Sequence, residues 1–188
     1  METLISEDGA TVLVIRGWIP NEEAAALCLR LAKILPWQER DHGEAKQPNT
    51  RRVFACGDDG VDYGFGVITE GDWVPELDAM RQRLEREGKS PINSCLVNEY
   101  RDGSSYISYH SDKEVGGPHN AVFTVSLGGS RDFYFKHQRQ LGRTVVTTLN
   151  NGDCTVMMGR CQENWTHSIP KRAHADYRLS VTFRYLNQ

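Results

Sequence analysis

The pattern of apolar and polar positions changes character half-way along the chain. Thr11-Val12-Leu13-Val14-Ile15 is a short β-branched run that predicts a strand. Asn21 then stands as an N-cap for a helix with Leu27, Cys28, Leu31, Ile34 and Leu35 at helical spacing, ending before Pro36. Residues 38–60 are polar and rich in Gly, Pro, Asp and Arg, the composition of a long surface loop, and loops of that length often carry function. A second helix is predicted from a cap at Asp72, with Pro75 in its first turn and Leu77, Met80 and Leu84 on one face, ending near Gly88.

From residue 92 onward short strands take over. Ile92–Tyr100, Ala121–Leu127, Asp132–Lys136, Thr144–Leu149, Cys154–Met158 and Tyr177–Tyr185 are β-rich runs separated by Gly, Asn, Asp or Pro. The expected fold is mainly β, a sandwich or jelly roll with helices packed outside. Along the last run Leu179, Val181, Phe183 and Tyr185 point one way, and Arg178, Ser180, Thr182 and Arg184 the other.

Composition narrows the class. At 188 residues the chain has room for one domain with a substantial core. A net charge of -3 excludes the strongly basic field of a polybasic DNA binder, so any nucleic-acid contact must be local. Hydrophobic residues at 39% and charged ones at 25% argue against disorder. No apolar run approaches the roughly 18 residues of a membrane span, and the acidic start lacks the pattern of a secretory signal. An intracellular protein, nuclear or cytoplasmic, acting as a monomer without membrane contact, is the expectation. Cys28, Cys56, Cys95, Cys154 and Cys161 contain no C-x-x-C pair and read as reduced, mostly buried thiols, while Met157 and Met158 read as core.

His110-Ser111-Asp112 sets an imidazole and a carboxylate two positions apart, so in an extended segment both leave the same face. By itself H-x-D is a weak signal. With His167, before the double-arginine strand, it makes the two-histidine, one-carboxylate triad of a non-haem Fe(II) oxygenase, which keeps open positions for cosubstrate and dioxygen. A dicarboxylic 2-oxo acid chelating that iron needs a fixed cation for its distal carboxylate, and Arg178 suits the role. Arg184 lies about 20 Å further along the strand, which places it nearer the metal end or the substrate-ordering carboxylate. Arg51 and Arg52, with Arg131, Lys136, Arg139, Arg143, Lys171 and Arg172, are candidates for phosphate contacts, and His137 is a further one. His42, His119 and His174 are assigned no chemistry.

Asn98-Glu99-Tyr100-Arg101-Asp102-Gly103, His110-Ser111-Asp112-Lys113-Glu114, Ser126–Phe133, His167 and Arg178–Arg184, in this order and spacing, resemble the AlkB family of Fe(II)/2-oxoglutarate dioxygenases, and Gly57–Phe65 resembles the upstream loop of its DNA-repair members. The resemblance implies a double-stranded β-helix, or jelly roll, over 92–188, with residues 1–91 as an N-terminal extension and nucleotide-recognition lid. It implies Fe(2+) on His110, Asp112 and His167, 2-oxoglutarate held by Asn98, Tyr100, Arg178 and Arg184, and O2 as second cosubstrate. Phe65 would stack on a flipped base against His110, Tyr63 would offer a polar contact, and Glu114 would read the amino edge of the base.

The implied reaction is oxidative demethylation of alkylated DNA or RNA, at lesions such as 1-methyladenine and 3-methylcytosine, releasing formaldehyde, succinate and carbon dioxide. Duplex-acting relatives carry an apolar wedge where Asp41–Asn49 has none, and the modest field favours a small footprint, so a single-stranded substrate is expected. The rival readings are an oxygenase of protein or lipid, a nucleic-acid-binding module without turnover, and a zinc-loaded structural cupin.

Overall fold

The computed structural model describes residues 1–39, 51–63, 69, 71–112 and 120–186. In chain order the elements are β1 (Glu2–Glu7), β2 (Ala10–Ile15), α1 (Asn21–Ile34), β3 (Gln38–Glu39), β4 (Arg51–Gly57), α2 (Pro75–Gly88), β5 (Ser94–Tyr100), β6 (Ile107–His110), β7 (Val122–Gly128), β8 (Arg131–His137), β9 (Thr144–Leu149), β10 (Cys154–Gly159), α3 (Cys161–Asn164), β11 (Trp165–Ile169) and β12 (Arg178–Arg184). Two sheets form, both from antiparallel pairs: a large one in the order β1-β2-β10-β7-β12-β5-β4-β3 and a small one in the order β6-β11-β8-β9. This is the jelly roll that the strand pattern predicts.

The two faces of β12 explain the layering. Leu179, Val181 and Phe183 turn outward, where α1 lays Ala24, Cys28 and Leu31, and α2 lays Leu77, Met80 and Leu84, over the large sheet. Each buried Leu, Met, Val or Phe of this set contributes about 1.5–3 kcal/mol by leaving water. The other face of β12 looks between the sheets, where Tyr100, Val122, Phe133, Phe135, Trp165 and Ile169 form a second core. Arg178 and Arg184 enter that interior. Both are buried, whereas arginines on a strand face are ordinarily solvated.

Several local expectations change. Pro20, not Asn21, occupies the α1 cap position, and Asn21 is instead bonded to Asn151 at its side-chain oxygen. Helix α2 starts at Pro75 behind Val74 rather than at Asp72, because the residue before a proline is forced into extended backbone and proline suits the first helical position. Residues 51–57, read as loop from their polar composition, are β4, registered with β5 from Arg51↔Tyr100 to Gly57↔Ser94. Strands β1, β3, β6 and β11 are likewise absent from the sequence pattern. The large sheet therefore does not begin at residue 92, since β1, β2, β3 and β4 all belong to it. All five cysteines are free and buried. Among the described residues, no helix is long and apolar enough to cross a membrane.

Candidate metal and keto-acid site

Strands β6 and β11 pair so that His110 faces His167, bringing their ring centroids to 4.3 Å. Asp112, two residues on, has its Oδ1 3.9 Å from His110 Nε2 and 3.2 Å from Arg184 Nη1. One ligand atom from each of His110, Asp112 and His167 lies within 4.8 Å of the other two. His110 Nδ1 sits 2.9 Å from the Ser108 carbonyl. A proton on Nδ1 donated to that carbonyl leaves the Nε2 lone pair facing the cluster.

Electrostatics prepare all three groups for a cation. Burial, reinforced by neighbouring His110, pushes His167 down to about 3, and burial also lowers His110, so both imidazoles are neutral at pH 7. Burial by itself would raise Asp112, but Arg184, and then His167 and His110, hold it below the usual carboxylate range. Two neutral imidazoles and an ionised carboxylate are the state in which these side chains bind a divalent ion, without first losing protons.

A second cluster surrounds Tyr100, which registers with Arg51 on one side and Arg178 on the other. The guanidinium carbons of Arg178, Arg131 and Arg51 lie 5.2, 5.5 and 5.7 Å from its ring centroid. Arg178 donates to Ser126 Oγ at 2.8 Å, and its Nε and Nη1 find no hydrogen-bond partner among the described residues. Burial, with Arg131 nearby, lowers Arg178 to about 10, so it remains a cation at neutral pH. A buried guanidinium with open donors in so positive a pocket fits an anionic ligand, and the distal carboxylate of 2-oxoglutarate matches its fork. Asn98 lines the same inward face, with Oδ1 accepting from Arg51 Nη1 at 2.5 Å.

Other candidates are placed differently from their sequence reading. Arg51 is buried, so it does not present a surface cation to phosphate. Arg52 is gripped by Glu99 through Nε and Nη2 at 2.6 and 2.7 Å. Arg131 is fully buried and donates to the carbonyls of Ser105 at 2.9 Å and Pro170 at 2.5 Å, which ties two loops together rather than facing solvent. Tyr63 is buried among Val53, Val61, Leu96 and Leu186 beneath Arg184, and burial pushes its hydroxyl pKa up. Arg143 pairs with Glu7 and Arg172 with Asp132, while Lys171 and Lys136 sit over the rings of Tyr106 and Tyr109. His137 Nδ1 accepts from the amides of Arg139 and Gln140. Phe65, Glu114, His42, His119 and Asp41–Asn49 lie outside the described residues.

Arg51, Arg131 and Ser126 join the pocket without having been singled out for it. A signal existed for Arg51: the run Arg51-Arg52-Val53-Phe54-Ala55-Cys56 ends in strand-forming residues, and period two carries Arg51 to the same face as Val53.

The chain matches the profile of the 2OG-Fe(II) oxygenase superfamily over residues 11–184. It is 35% identical over 146 residues to "DNA oxidative demethylase ALKBH2" of Mus musculus, covering 71% of this chain and 61% of that protein. With "Alpha-ketoglutarate-dependent dioxygenase alkB homolog 3" of Mus musculus the identity is 28% over 199 residues, covering 97% of this chain and 69% of that one. The solved structure of OsALKBH1 shares the fold, with a TM-score of 0.61 at 15% identity over 93% of this chain and 97% of its own. This chain thus spans about three fifths of the ALKBH2 relative's length. With a profile running through both sheets and a His-Asp-His cluster between them, the chain belongs to the 2OG-Fe(II) oxygenase superfamily and, within it, to the AlkB family.

Proposed function

We propose that this protein is an oxidative demethylase of N-methylated bases in nucleic acid, with His110, Asp112 and His167 holding Fe(II). The observation that carries the reading is the convergence of these three side chains in the same interior that holds a fully buried Arg178 with open donors. Family membership implies Fe(II), 2-oxoglutarate and dioxygen. Once bound, they supply oxygen activation coupled to decarboxylation of the keto acid, so that an N-methyl carbon is hydroxylated and leaves as formaldehyde.

The chain's own residues contribute geometry and charge. Arg178 takes the distal carboxylate of the keto acid as a two-pronged donor, with its planar fork fixed by Ser126 and the Tyr100 ring. Asn98 and Tyr100 border the same ligand from β5. Arg184 holds the Asp112 carboxylate ionised and in one orientation. The packed rings of Phe133 and Phe135, 5.4 and 6.2 Å from the His167 ring, keep the metal side of the interior apolar. The substrate is a base flipped from DNA or RNA, with 1-methyladenine and 3-methylcytosine as the expected lesions, and Phe65 and Glu114 remain the proposed base contacts.

Single-stranded substrate is favoured in this reading, on the net charge of -3 and on the pairing of Arg52, Arg143 and Arg172 with carboxylates, which leaves a small basic footprint. The test is mass spectrometry of methylated DNA and RNA oligomers after incubation with Fe(II), 2-oxoglutarate and either wild-type protein or His110→Ala. Loss of one methyl-derived methylene with matching succinate, in wild type alone, is expected. Intact oligomers with wild type, or equal conversion by the variant, would overturn the reading.

A further inference from the structure

Asp112 lies just past the end of β6, where strand pairing no longer fixes the backbone. Its N–H donates to Oε1 of Gln162 at 2.9 Å. Gln162 belongs to α3, the short helix that leads directly into β11 and His167. The amide nitrogen of the same side chain points at Met157 Sδ, 3.6 Å away on β10 of the large sheet. Met157 is buried, so that end of the link is fixed. One amide side chain therefore joins the segment bearing Asp112, the approach to His167 and the opposite sheet.

We propose that Gln162 is a positioning residue of the metal centre, holding the Asp112 backbone so that its carboxylate meets the two imidazoles in one geometry. The inference rests on the reading of His110, Asp112 and His167 as metal ligands. A carboxylate carried on an untethered segment must lose backbone freedom when it binds, whereas a tethered one has already lost it. Arg184 grips the carboxylate itself and Gln162 grips the backbone behind it, so the two contacts leave Asp112 little freedom. The role needs an acceptor of glutamine length at this position. Methionine has that length without the acceptor, glutamate keeps an oxygen acceptor, and asparagine keeps the amide but falls short by one methylene.

The experiment is titration of the metal-free protein with Co(II), followed by its visible ligand-field absorption, for wild type, Gln162→Met, Gln162→Asn, Gln162→Glu and His110→Ala. Partners behind metal ligands typically change affinity by 10–100-fold, and a backbone tether belongs at the lower end, so about tenfold weaker Co(II) binding is expected for Gln162→Met and Gln162→Asn. Their absorption band should change shape, while the metal-free protein, short of one hydrogen bond, should lose no more than a few degrees of thermal midpoint. Gln162→Glu should restore most of the affinity. Wild-type affinity in Gln162→Met and Gln162→Asn, with His110→Ala unable to bind, would overturn this inference and leave the metal reading standing. Equal loss in Gln162→Glu would also overturn it, because the effect would not follow the acceptor. Absence of Co(II) uptake by wild type would remove the metal reading and the inference together.

Discussion

Replacing Arg178 by methionine deletes a positive charge from the protein interior while keeping much of the side-chain length. The guanidinium is 0% exposed and donates to Ser126 Oγ at 2.8 Å. Burial lowers its pKa from 12.5 to about 10, which corresponds to about 3 kcal/mol by which the folded interior disfavours the charge. Methionine removes that penalty and forfeits a charge-assisted hydrogen bond worth about 1.5–2 kcal/mol, so the ligand-free protein should become about 1 kcal/mol more stable. Binding should move the other way. Truncating one partner of a buried charge pair costs about 2–5 kcal/mol, or about thirtyfold to several thousandfold weaker 2-oxoglutarate binding. The assay is urea unfolding with and without 2-oxoglutarate, in the presence of Mn(II). Wild type should gain about 2.7 kcal/mol at a ligand concentration a hundred times its Kd, whereas the variant at the same concentration should start higher and gain less than about 1 kcal/mol. A variant destabilised without ligand, or stabilised by 2-oxoglutarate as wild type is, would refute the assignment of Arg178 as an anion anchor.

Other outcomes follow from the same structure. His167 is neutral in the fold, with a pKa of about 3 against 6.5 unfolded, so the unfolded chain binds the extra proton between those values. Stability of the metal-free protein should therefore fall as pH drops below about 6.5, by about 1.4 kcal/mol per unit from this group, and His167→Gln should flatten the slope in urea titrations at pH 7.5 and 5.5. An unchanged slope would contradict the burial account. Arg52→Ala leaves the buried Glu99 carboxylate with the Tyr177 hydroxyl, which donates to it at 2.8 Å, and should cost about 1–3 kcal/mol in chemical denaturation. Because Arg52 is already paired, the salt dependence of oligonucleotide binding should not change, and a slope reduced by about 0.7 would restore it as a phosphate contact. Gly128 has φ +86, and a Cβ there would meet the Tyr177 carbonyl oxygen at 2.5 Å, so Gly128→Ala should lower the thermal midpoint through both strain and clash. An unaltered midpoint would show that the start of β12 can shift.

The jelly roll was legible because β5, β7, β9, β10 and β12 write their strand period in apolar and β-branched residues. The strands that escaped carry polar chemistry instead. In β6 and β11 the inward positions include His110 and His167, so the residues that make the site interrupt the pattern that reveals a strand. Strand β4 escaped for a related reason, since its two arginines lower the hydropathy of a segment whose charges find Asn98 and Glu99 only after folding. Of the candidate site, the His-x-Asp spacing and the inward alternation of Arg178 and Arg184 were readable one strand at a time. The burial of Arg131, the cluster around Tyr100 and the Gln162 tether depend on pairings between distant segments, and local sequence holds no trace of them.

The central claim is that His110, Asp112 and His167 hold one ferrous ion on which 2-oxoglutarate, anchored by Arg178, chelates. Anaerobic titration of the protein with Fe(II) and 2-oxoglutarate, followed by the visible charge-transfer absorption of an iron-chelated keto acid, measures it directly. The account predicts a band that saturates at one iron per chain and is lost in His167→Ala. In Arg178→Met it should appear at far higher 2-oxoglutarate concentration. No band with wild type, or an undiminished band in His167→Ala, would contradict it.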